Sequence, residues 1–270
     1  MKKTSLLLLS AAVLSATLLP QNVNADPPPV AQITWGSAQN ITADSDVSTL
    51  GTLLYAYNIG EAGVASTTVN GVLFSSYVFP DAPAQTTTTG SVTFTESPDY
   101  LFPLSNLGTG SGSFGDLSSE DYKTLLSSGG SAGSPTTITG TFGGLTAGND
   151  YLIQWWSNDS ALTWGNAFEE TQASQVGNPS TVTLDSNLSN SWGGLGQYAI
   201  GTFTATSSFV DFQLNGSGIE FPLINAFQIR DVTSAAVPEP GQVAASLVLL
   251  AGIGGYVFLK RRKAAKATTA

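Results

Sequence analysis

Few residues in this chain of 270 are equipped for covalent chemistry. It has no histidine and no cysteine. Those two absences exclude Ser-His-Asp and Cys-His hydrolysis, histidine-ligated zinc and histidine general-base catalysis. A serine nucleophile would have to borrow Lys123, the one lysine between residues 26 and 237. The carboxylates that could work as a pair are Glu169-Glu170 and Asp159. Glycoside hydrolysis needs two carboxyl groups about 5 to 9.5 Å apart across a cleft. Adjacent glutamates on a strand point to opposite faces, and in so acidic a chain these residues read first as solvated loop acids. Asp44-Ser45-Asp46 could offer oxygens to calcium, but it lacks the further acids of an EF-hand loop and reads also as an acidic turn. The glycine-rich run Gly108-Thr-Gly-Ser-Gly112 is not followed by Gly-Lys-Ser/Thr, so a phosphate loop is not supported. The expectation is a non-enzyme with no catalytic residues, no metal site and no cofactor, calcium being the one ion with a candidate position.

Recognition is better represented than catalysis. Tyr151-Leu-Ile-Gln-Trp-Trp-Ser157 is the most β-prone run in the chain. Side chains alternate along a strand, so Tyr151, Ile153 and Trp155 share one face and Leu152, Gln154 and Trp156 the other. The first set is apolar or aromatic and should face a core. The second contains Gln154 and leads to Asn158 and Asp159, which places Trp156 nearer solvent. An exposed tryptophan offers a flat surface to the C–H face of a sugar, and nearby amides and carboxylates bond its hydroxyls. Trp156, Asp159 and Trp164 are therefore the candidate ligand-binding residues. The competing reading packs both tryptophans under loops as a second core.

These residues need a scaffold, and Thr, Ser, Gly, Val and aromatics supply short strands broken by turns. Strands are expected at residues 31–35, 51–59, 67–69, 72–74, 91–95, 136–142, 150–157, 180–184, 197–205, 209–214 and 223–232, two of them joined as a hairpin by Asn70-Gly71. One short helix interrupts them, capped by Ser118, with Glu120 and Asp121 in its first turn and Tyr122, Leu125 and Leu126 on one face. Residues 108–115 and 127–134 read as mobile Gly/Ser loops. The fold class expected is all-β, a two-sheet jelly-roll-like sandwich over residues 26–237. Without cysteine it must rest on its core alone.

The two ends carry addresses. Lys2-Lys3, the apolar run Leu6 to Leu19 and Val23-Asn24-Ala25 make a signal peptide cut after Ala25. At the other end, Pro238-Glu239-Pro240 precedes an uncharged run, Val243 to Leu259, of about 25 Å as a helix. That is close to the minimum for crossing a bilayer. Lys260-Arg-Arg-Lys263 would stay cytoplasmic. Between these ends lie 18 acidic and two basic residues, a net charge that repels nucleic acid and anionic lipid.

Triplet, span and basic cluster in this order resemble the PEP-CTERM sorting signal of Gram-negative bacteria, covering residues 238–270. The resemblance implies processing by an exosortase near Pro238, Glu239 and Pro240, passage through the inner membrane, display at the cell surface or in the extracellular matrix, and association with extracellular polysaccharide. A plain C-terminal membrane anchor is the alternative. Residues 121–126, 144–148, 151–159, 196–205 and 224–230 also resemble a sandwich domain that recurs beside this tail, and its wider shape is similar to carbohydrate-binding jelly rolls. The function expected is a structural or polysaccharide-binding surface component, with a carboxylate-based carbohydrate-active enzyme as the alternative.

Overall fold

The structure, a computed structural model, describes residues 30–81, 84–96, 99–108, 114–115, 117–133, 137–162, 168–217 and 220–234. The expected signal peptide with Ala25, the tail with Pro238, Glu239 and Pro240, and Trp164 all lie outside these residues. No described helix is long and apolar enough to cross a membrane.

The described chain is mostly β-sheet with one short helix. In chain order the first strands are β1 (Thr34–Trp35), β2 (Gln39–Asn40), β3 (Thr52–Gly60), β4 (Thr67–Val69) and β5 (Val72–Val78). Next come β6 (Thr86–Thr89), β7 (Val92–Glu96), β8 (Leu101–Leu104), the helix α1 (Glu120–Leu126) and β9 (Gly129–Ala132). Then follow β10 (Thr137–Gly143), β11 (Asp150–Ser157), β12 (Glu170–Gln175) and β13 (Asn178–Asp185). The last are β14 (Gln197–Thr204), β15 (Phe209–Gly216), β16 (Leu223–Ile224) and β17 (Ala226–Asp231).

Two large sheets face each other. The first has the order β1-β14-β11-β17-β3-β5-β4, with β2 also on β14. The second has the order β13-β12-β15-β10-β7-β6. Aromatic side chains join them: Phe227 of the first sheet meets Phe94 and Phe142 of the second edge-on at 5.5 and 5.0 Å between ring centres. Tyr151, Ile153 and Trp155 point into this same core, as their alternation requires. A small third sheet has the order β16-β9-β8.

The Asn70-Gly71 turn forms as its residues demand, with φ of 49° and 73°, positive values that Asn and Gly tolerate best. The helix starts one residue later than expected: Ser119, not Ser118, accepts the Tyr122 N–H at 3.2 Å. The expected loop at 127–134 is in part a buried strand, β9. Gly130 is needed there because any Cβ would collide with the Phe79 ring. Composition reads such a glycine as flexible, whereas here it permits close packing.

Candidate functional site

The carboxyl end of β11 is where the candidate residues were expected, and the structure corrects their roles. Trp156 is fully buried. It packs edge-on against Phe74 at 5.6 Å and beside Tyr198 at 6.2 Å, and its indole N–H donates to the Tyr122 hydroxyl at 2.8 Å. The cause is α1, which lays Tyr122, Leu125 and Leu126 over the outer face of the first sheet and makes a second core with Trp156, Phe74 and Ala226. This strand is thus buried on both faces.

Gln154, the residue that suggested a wet face, is instead satisfied inside. Its amide oxygen accepts from the Ser48 N–H at 2.9 Å and from Gln228 at 2.7 Å, and its nitrogen donates to the Asp46 carbonyl at 2.6 Å. A buried polar group with all its partners is stable in a core.

Asn158 and Asp159 are likewise buried. The Asn158 N–H donates to the Asn225 amide oxygen at 2.6 Å, and the Asn158 oxygen accepts from the Gly196 N–H at 2.9 Å. The Asp159 carboxylate accepts from the Ala161 N–H at 3.2 Å, and its carbonyl from the Asn187 amide at 3.0 Å. Asp159 is therefore a fixed corner of the backbone and not a sugar-facing carboxylate.

What this corner holds is the loop between β13 and β14. The Asn187 amide also donates to the Ser191 carbonyl at 3.0 Å. Gly193 N–H donates to the Ser160 carbonyl at 2.8 Å, and the Ser160 hydroxyl to the Gly194 carbonyl at 2.7 Å. Across the loop neck, Leu188 N–H reaches the Leu195 carbonyl at 3.0 Å. At the tip of this tethered loop stands Trp192, 70 % exposed. Of the described tryptophans it alone is exposed; Trp35, Trp155 and Trp156 are buried. The Ser189 and Ser191 hydroxyls, just before Trp192 in the chain, lie 2.7 Å apart.

Sequence reasoning missed Trp192. Its setting, Asn190-Ser-Trp-Gly-Gly194, has no strand or helix period, and an aromatic inside a loop-forming run is the signal that was available.

Carboxylates gather beside the same loop. Glu169 accepts from the Asn190 amide at 3.1 Å, Asp185 from the Asn187 N–H at 2.7 Å, and Glu220 from the Glu170 N–H at 2.8 Å. Glu170 and Asp185 are cross-strand partners. Burial, and then the charges of Glu169 and Glu170, push the Asp185 carboxyl above its usual range. Burial, then Glu169, Glu170 and Asp185, does the same to Glu220. The acids that assemble are these four; Asp159, expected as the partner of Glu169-Glu170, is turned into its own loop.

Asp44–Asp46 forms a single 3-10 turn. The Asp46 carboxylate accepts from the Thr42 N–H at 2.6 Å, the Thr42 hydroxyl at 2.9 Å and the Ala43 N–H at 3.0 Å, so it acts as a local cap. Among the described residues no cluster of three or more acidic side chains is arranged to hold a metal ion.

No family model and no curated protein matches the chain. One solved structure that aligns with it comes from work on carbohydrate-binding modules of the β-sandwich superfamily, at 10 % identity over 72 % of this chain and 99 % of that one, with a TM-score of 0.17. A likeness at that score carries no argument about either fold or function.

Proposed function

We propose that this chain is an exported protein, processed by an exosortase at its Pro-Glu-Pro tail and displayed at the surface or in the matrix of a Gram-negative cell, where it binds polysaccharide without chemically altering it. The jelly-roll class of sandwich belongs to this reading. The terminal motifs support the address. The observation that carries the binding role is Trp192, an open tryptophan on a loop whose backbone is tied at both sides of the tip. Such a loop is pre-ordered, so little backbone freedom is lost when a sugar stacks on the ring it carries.

Affinity electrophoresis of the full chain in gels containing a neutral polysaccharide tests this. The wild type should be retarded, and Trp192→Ala should weaken binding about tenfold, the range for losing one aromatic anchor. Its unfolding midpoint should not move, because the ring contributes little to the core. Equal retardation of the two proteins would remove Trp192 from the binding role. The four assembled carboxyls with Asp185 and Glu220 shifted upward favour a second reading, carboxylate-based hydrolysis. Release of new reducing ends in the same mixtures would establish that reading in place of simple binding.

A further inference from the structure

The outer face of the six-stranded sheet carries an ordered array of neutral hydroxyl and amide side chains. Pairing register aligns Thr88, Thr93, Thr141 and Asp211 in one row across β6, β7, β10 and β15. A second row runs Thr86, Thr95, Thr139, Gln213 and Ser174, reaching β12. The residues between them in each strand, among them Val92, Phe94, Ile138, Phe142 and Phe212, are buried in the main core, so the rows face outward. Five strands at about 4.8 Å spacing give a row about 19 Å long, with successive rows about 7 Å apart.

Three observations point to a ligand on this face. The hydroxyls of Thr95, Thr139 and Thr141 make no hydrogen bond to any described residue, which leaves them open to a partner. Next to Thr139 and Gln213 the face dips into a hollow of about 270 Å³, walled on its apolar side by Val30 and Val176. On the lining of that hollow sits Asp211, one of whose carboxylate oxygens is buried without a donor. That oxygen is closed to solvent, so a hydroxyl entering the hollow would meet the other oxygen of the carboxylate.

Charge selects the class of ligand. Of the two basic residues between positions 26 and 237, Lys123 is paired with Glu120 at 2.8 Å and Arg230 is buried. Neither is free to pair with a carboxylated or sulfated polymer, and 18 acidic residues repel one. Threonine, with a methyl and a hydroxyl on one carbon, matches a sugar ring that presents C–H and O–H groups side by side.

We propose that this face is a second glycan-binding surface, which takes a neutral polysaccharide chain along the threonine rows, one sugar hydroxyl donating to Asp211 and the ring C–H groups lying on Val30 and Val176. The inference rests on the polysaccharide-binding reading above and extends it to a site separate from Trp192.

The test uses the full chain, purified in a polyoxyethylene detergent that has no sugar head group. Binding is measured to hydroxyethylcellulose and dextran as neutral probes and to polygalacturonate as the anionic one. Asp211→Ala and Thr139→Glu should each weaken binding to at least one neutral probe by about tenfold, the value of a charge-assisted hydrogen bond. Thr139→Val, which keeps the side-chain shape, should lose about threefold and serves if the glutamate variant fails to fold. On a polymer long enough to engage both sites at once, each loss should multiply with that of Trp192→Ala. Undiminished binding in all three face variants, with Trp192→Ala still defective, would overturn this surface and leave the Trp192 reading standing. No binding of either neutral probe by the wild type would overturn both, and equal binding of polygalacturonate would refute the neutral class. Concentration-dependent self-association abolished by Thr139→Glu would assign the face to a second copy of the chain and also overturn the proposal.

Discussion

Arg230→Met is expected to lower stability by about 1 to 3 kcal/mol, as for removing the donor from neutral polar partners that stay behind. Arg230 is 6 % exposed and makes no ion pair with a described residue. Its guanidinium is held instead by carbonyl dipoles. Nε donates to the Leu50 carbonyl at 2.6 Å, one terminal nitrogen to the Thr49 and Gly51 carbonyls at 3.1 and 3.0 Å, and the other to Gln228 at 3.2 Å. Burial lowers its pKa below the ordinary value, yet arginine stays charged at neutral pH. Gln228 in turn donates to the Ser48 carbonyl at 3.0 Å and to Gln154 at 2.7 Å. The three side chains form one ladder that fastens residues 46–51 across β11 and β17. Methionine fills the space but takes the guanidinium donors away from the Thr49, Leu50 and Gly51 carbonyls. Arg230→Lys should recover less than half the loss, because one ammonium cannot reproduce the planar fork. Urea unfolding measures this, and a loss below about 1 kcal/mol for Arg230→Met would show that water replaces the guanidinium freely.

Trp156→Ala should cost about 3 to 5 kcal/mol, the range for truncating a large buried aromatic. The removed ring fills the space between Phe74 and Tyr198 and donates to Tyr122. Burial, and then the Asp46 charge, raise the Tyr122 pKa well above its usual value, so its hydroxyl keeps its proton and can accept from the indole while donating toward Asp46 at 3.5 Å. Trp156→Phe retains most of the packing and loses that hydrogen bond, so an intermediate cost is expected. The same urea series checks both. A Trp156→Ala protein of unchanged stability but impaired glycan binding would restore the exposed-platform role that the structure removes.

The extent of β11 was legible because Tyr151, Leu152, Ile153, Trp155 and Trp156 crowd apolar and aromatic side chains into it. That both its faces are covered was not, because Gln154 looks like a solvent residue until Gln228, Ser48 and Asp46 are seen around it. Those partners lie far away in sequence, and pairing at such distance has no local signature. Thr-x-Thr alternation at 93–95 and 137–141 does announce strands with one polar face. The array itself depends on which strands become neighbours, and β10 lies between β7 and β15, an order that pattern does not encode. Trp192 eluded the pattern for a related reason: its exposure depends on a loop tied by Asn187 and Ser160. The Asn70-Gly71 turn and the amphipathic helix were legible because backbone preference and side-chain period there act over a few residues.

The measurement that bears most directly on the central claim, that this is an exported and sorted surface protein, is the intact mass of the protein recovered from the surface of a cell that has an exosortase. The expected mature chain begins after Ala25 and has lost the residues following Pro238-Glu239-Pro240, including the apolar run and the basic cluster. A mature protein whose C-terminus is still Ala270 would contradict it.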